Sequence, residues 1–72
     1  MKNYGKFEEA LESYTTAITL KPNFAEAYYN MGKALQDLGK FDDAVVAFEK
    51  AISIKPKYAE AYYSMGVALR SH

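Results

Sequence analysis

The strongest constraint on this chain is that it says nearly the same thing twice. AEAYYNMGKAL begins at Ala25, and AEAYYSMGVAL begins 34 residues later at Ala59. Sliding the sequence by 34 aligns residues 5–38 with 39–72, and half of the aligned pairs are identical. Gly5-Lys6-Phe7 returns as Gly39-Lys40-Phe41, Lys21-Pro22 as Lys55-Pro56, and Phe24 as Tyr58. A period of this length marks units that cannot bury their apolar faces alone and that neighbours complete.

Punctuation divides the chain into four segments, roughly 7–20, 25–38, 41–54 and 59–71. Pro22 and Pro56 stop what precedes them, because proline lacks an N–H and pushes the residue before it out of the α region. Gly5 and Gly39 fall where a tight turn needs a permissive residue. Inside the segments the apolar spacing is helical. Phe7, Leu11, Tyr14 and Ile18 form one stripe, copied by Phe41, Val45, Phe48 and Ile52. Tyr28, Met31, Leu35 and Leu38 form a second, echoed by Tyr62, Met65 and Leu69. Glu8-Glu9 and Asp42-Asp43 open two helices, and Lys21 and Lys55 close them, in the order the helix dipole favours. No stretch alternates with period two over a strand's length, so no sheet is expected.

Small residues add a packing prediction. Gly32 and Gly66 interrupt helical patterns, where glycine costs about 1 kcal/mol relative to alanine. Close backbone approach would account for both. Ala10, Ala17, Ala44 and Ala51 lie on the apolar stripes, where larger side chains would overpack by roughly 1–3 kcal/mol.

These residues resemble the tetratricopeptide repeat. The signature is read in Tyr28, Met31, Gly32, Leu35, Ala44, Phe48, Ala51 and Pro56, with Tyr for the usual Trp, Met for Leu and Leu for the second aromatic. The preceding copy supplies Ala10, Tyr14, Ala17 and Pro22, and the following one Tyr62, Met65, Gly66 and Leu69. The resemblance implies an all-α fold: antiparallel helix–turn–helix units stacked as a right-handed superhelix. It implies one domain over 1–72, made of a half-repeat (1–24), a full repeat (25–58) and a half-repeat (59–72). With A and B naming the first and second helix of a repeat, the order is B–A–B–A.

The function implied is a protein-interaction scaffold that holds a peptide or protein segment in a concave groove. In this family the groove is lined mainly by A-helix residues. Here those are Glu26, Tyr29, Asn30, Lys33 and Asp37, then Glu60, Tyr63, Ser64, Val67 and Arg70. The two Tyr rings offer rigid area and a hydroxyl. The Asn30 amide can both donate to and accept from a peptide backbone. Long superhelices of the family use a ladder of Asn at this place, but the next rung here is Ser64. A clamp for a terminal carboxylate is not expected, because Tyr29, Glu60 and Val67 depart from that pattern. Tyr28, Tyr62, Met31 and Met65 read as core by their spacing.

The ends carry a competing reading. Residues 59–72 and 5–24 together amount to one repeat of 34 positions. The tail of one molecule and the head of another could thus stack into a homo-oligomer, through Phe7, Leu11, Tyr14 and Ile18 on one side and Tyr62, Met65 and Leu69 on the other. Alternatively the chain is a piece of a longer array, or its ends fray or fold over each other.

Composition narrows the remaining classes. Nine basic and nine acidic residues give zero formal net charge, which argues against a nucleic-acid footprint. No apolar run approaches the ~20 residues of a membrane span. Cys is absent, which excludes disulfides and thiolate metal sites and suits a reducing, cytoplasmic setting. Enzymatic activity is not expected. The one His is residue 72, no Ser has an implied His–acid partner, and adjacent acids on a helix diverge by about 100°. No phosphate-binding glycine loop occurs, and no cofactor or metal site is expected.

Overall fold

The computed structural model describes residues 4–71, with side chains from residue 9 onward. It contains four α-helices: α1 (Tyr4–Leu20), α2 (Ala25–Asp37), α3 (Phe41–Ile54) and α4 (Ala59–Ser71). The described residues contain no strand. Each helix packs on its sequence neighbours, α2 and α3 most extensively. Helices α2 and α4 also touch at a few positions, whereas α1 and α3 do not meet. The result is a slab of 37 × 32 × 15 Å, the form taken by units that contact only their neighbours.

The repeat in sequence is a repeat in hydrogen bonding. After α1, the Phe24 N–H donates to Lys21 O at 3.1 Å, and Ala27 N–H to Phe24 O at 3.1 Å. After α3, Tyr58 N–H donates to Lys55 O and Ala61 N–H to Tyr58 O, each at 3.1 Å. The turn between α2 and α3 is different. Gly39 adopts φ +83°, its N–H donates to Gln36 O at 3.0 Å, and Lys40 N–H donates to Leu35 O at 2.9 Å. This is a Schellman motif, whose left-handed position favours a residue without Cβ.

Gly5, also expected in a turn, lies inside α1. The helix starts at Tyr4, ahead of that glycine. The two lysines expected to close helices lie just past them. Lys21 Nζ sits 5.2 Å from the centre of the Phe24 ring, and Lys55 Nζ sits 4.4 Å from that of Tyr58. Each lysine covers the aromatic of its own turn.

Among the described residues, eight of the ten buried apolar ones are alanines; the others are Phe48 and Tyr58. A core of this kind is built by bringing backbones close together rather than by filling space with large side chains. One cluster joins Ala25, Ala51, Tyr58 and Ala61, the other Ala44, Phe48 and Ala68. Phe48 is the one large side chain fully enclosed among the described residues, and it lies against Gly32. A Cβ placed on Gly32 would fall 2.5, 2.7 and 2.9 Å from three atoms of its ring.

Gly66 does not repeat this arrangement. A Cβ there would meet nothing within 4 Å. The ring over Gly32 comes from 16 residues further on, and no described residue takes that place over Gly66. Tyr62, expected in the core, is 51% exposed for the same reason, and Leu69 is 57% exposed. Ala10 and Ala17 of α1 are only half-buried, whereas their counterparts Ala44 and Ala51 are fully buried.

Two substitutions test this account. Gly32→Ala should lower the urea midpoint, because an enclosed ring has no room to yield. Overpacking of roughly 1–3 kcal/mol is set against a gain of about 1 kcal/mol in helix propensity, for a net loss of up to about 2 kcal/mol. Gly39→Ala should cost about 1 kcal/mol through its left-handed backbone alone. An unchanged midpoint for Gly32→Ala would remove the close approach as the reason for glycine at that position.

Candidate interaction surfaces

The A-type helices α2 and α4 each have a packed side and an open side. In α2, Ala27 and Ala34 are buried, while Glu26, Asn30, Lys33 and Asp37 are exposed. These four stand at i, i+4, i+7 and i+11, which places them on one ridge. Asn30, Lys33 and Asp37 border a pocket of about 240 Å³ completed by Ala34 and by Ala10 and Tyr14 of α1. Among the described residues no hydrogen bond or ion pair engages Asn30 or Asp37. The Lys33 ammonium stands 5.5 Å from the centre of the Tyr29 ring.

In α4 the same ridge carries Glu60, Ser64 and Val67, of which Glu60 is exposed and the others half-buried. Tyr63, Val67 and Arg70 border a second pocket of about 330 Å³ with Tyr62 and Gly66. Six of the ten predicted groove residues thus divide between two pockets, and Glu26, Tyr29, Glu60 and Ser64 border neither.

Tyr29 is half-buried. Its ring packs at a tilt against Phe48, with centroids 5.9 Å apart, and against Tyr58 at 5.1 Å. It bridges the two core clusters. Tyr63, the same residue one repeat later, is 75% exposed. Of the end-face candidates, Leu11, Tyr14 and Ile18 are half-buried on α1, and Met65 packs against the Phe48 cluster. The Phe7 side chain lies outside the described residues.

A third pocket, of about 300 Å³, was not anticipated. Tyr28, Met31 and Leu35 of α2 border it with Asp43, Val46, Ala47 and Lys50 of α3. Val46 is among the exposed large apolar residues. Its signal in the sequence was the doubled valine at 45–46, where only one can face the stripe.

No cluster of three or more His, Cys, Asp or Glu that could hold a metal occurs among the described residues. No helix is long and apolar enough to cross a membrane. Burial raises the Tyr58 hydroxyl above the usual tyrosine range, aided by the negative charge of Glu26, by Tyr29 and by the charge of Glu60.

Helices joined in 34-residue units and stacked through alanines define an all-α helical-repeat fold. Two family models match the chain: one described as a TPR repeat over residues 4–39, the other as the tetratricopeptide repeat over residues 25–58. The chain belongs to the tetratricopeptide repeat family. No individual curated protein matched it.

The Tyr58 environment predicts a pH response. With its folded pKa above the unfolded value of about 10, the unfolded state loses its proton first as pH rises. Stability should therefore fall as pH climbs through about 10 and beyond. Tyr58→Phe should flatten that part of the profile in denaturant titrations. An identical alkaline slope in the variant would show that Tyr58 does not govern it.

Proposed function

We propose that the chain is a non-catalytic protein-interaction module, read as a half, a full and a half repeat, whose partner is a peptide or protein segment. Members of this family are in general protein-interaction modules. The observation that carries the finer reading is the exposed ridge Glu26, Asn30, Lys33 and Asp37 beside the α1–α2 pocket. It offers an amide and charges of both signs, spaced along a helix whose adjoining side is packed through the buried Ala27 and Ala34. An extended backbone laid along it finds a donor and acceptor in Asn30. Side chains of either charge find Lys33 or Asp37. Affinity rests on such polar matching and on apolar contact with the pocket wall at Ala10, Ala34 and Tyr14. Glu60, Ser64 and Val67 extend the surface along α4. Tyr29 supports the ridge from below, and its loss acts on the fold.

A displayed library of short random peptides, selected on the chain, tests this reading. Selected peptides should lose about tenfold in affinity to Asn30→Ala and to Lys33→Ala, the worth of one well-placed polar contact, while both variants keep full helicity. Peptides that bind both variants as tightly as the parent chain would overturn the ridge as the binding surface.

A further inference from the structure

Three of the five large apolar side chains left exposed among the described residues are Tyr62, Tyr63 and Leu69. All three stand on α4, around Gly66 and its pocket. Their counterparts in α2 show what such a face is shaped for. Gly32 lies under the Phe48 ring, Leu35 packs against the Phe48 cluster, and Tyr29 is held between Phe48 and Tyr58. One helix, α3, together with the turn after it, supplies the whole cover.

The chain contains a second helix of that type. Residues 7–20 of α1 are the sequence copy of α3, so that Ala10, Tyr14 and Ala17 stand where Ala44, Phe48 and Ala51 stand, and Phe24 where Tyr58 stands. Helix α3 has two partners, α2 and α4, and its three residues are fully buried. Helix α1 has only α2, and its three residues are half-buried. Among the described residues, therefore, α4 has no α3-like cover and α1 has no α2-like seat.

We infer that α4 of one molecule seats α1 of a second copy of this chain, head to tail, with Tyr14 over Gly66 as Phe48 lies over Gly32. Tyr63 then lies between Tyr14 and Phe24 of the second copy, as Tyr29 lies between Phe48 and Tyr58. Leu69 is covered as Leu35 is. The seated α4 also fills the pocket beside Ala10 and Tyr14 of the second copy, so both end pockets close in one contact. The two surfaces differ, so the contact is heterologous and repeats until a ring closes or a filament runs on. The seated helix takes the wall at Ala10 and Tyr14 that the proposed peptide would touch, so stacking and peptide binding at that pocket exclude one another.

Sedimentation velocity from micromolar to millimolar concentration, on the parent chain and on Gly66→Ala, tests it. Within one copy the added methyl meets nothing and removes a helix-destabilising glycine, so the dilute variant should melt slightly higher than the parent. In the stack the same methyl strikes the Tyr14 ring, and self-association should weaken roughly tenfold or more. Leu69→Lys, altering an already exposed side chain, should weaken it similarly. The parent should rise above its 8.1 kDa with concentration. Added Gly66→Ala chain, which keeps an intact α1, should join one end of the parent stack and shorten it. A parent chain that stays at the monomer mass at millimolar concentration would overturn the inference and leave the face to a different protein or to a neighbouring repeat. An oligomer whose mass neither variant alters would overturn it equally.

Discussion

The approach of α2 to α3 depends on the absence of a side chain at position 32. Phe48 occupies the space a Cβ would need, and around that ring the second core cluster gathers Ala44, Ala68 and, from the rim, Tyr29, Leu35 and Met65. Glycine inside a helix is locally unfavourable. The cost is recovered because the ring fills the groove and leaves no void, and interiors are sensitive to defects of a single methyl. The packing of α2 on α3, and the cluster that also takes in Ala68 of α4, are built around that contact.

An alanine-based core suits a small repeat and also limits it. Each alanine contributes little apolar area, so stability accumulates through repeated close helix contacts and not through a few large side chains. The consequence is visible at the edges. A helix with partners on two sides, such as α3, buries Ala44 and Ala51 completely, while α1, with one, leaves Ala10 and Ala17 half-covered. The features that let neighbouring units pack inside one molecule are only partly covered on α1 and α4.

The helices and their breaks were legible because their signals are local. Pro22 and Pro56 act on their own and the preceding residue, and Gly39 meets a backbone requirement set within its own turn. The site was less legible. Tyr29 and Tyr63 share nearly identical surroundings in sequence, yet one is clasped by two rings and the other is 75% exposed. Gly32 and Gly66 diverge in the same way. Reading both members of each pair alike was correct for the repeat and wrong for the copy, because a residue's burial is a property of the helix across from it. The polar positions Asn30, Lys33 and Asp37 stood in the sequence as groove candidates, but their grouping around a pocket shared with α1 needed the position of α1.

By itself the sequence determined an all-helical chain of 34-residue units, the places where those helices break, and the small residues on which they pack. These follow from backbone sterics and from a hydrophobic period of 3.6, which act over a few residues. Tertiary structure alone decided which copy of each repeated residue is covered. It closed Phe48 over Gly32, left Gly66 open, drew Tyr29 inward and turned Tyr63 to solvent. The physical reason is that burial depends on the number of neighbouring helices, and identical sequences at the middle and at the edge of a stack have different numbers of them.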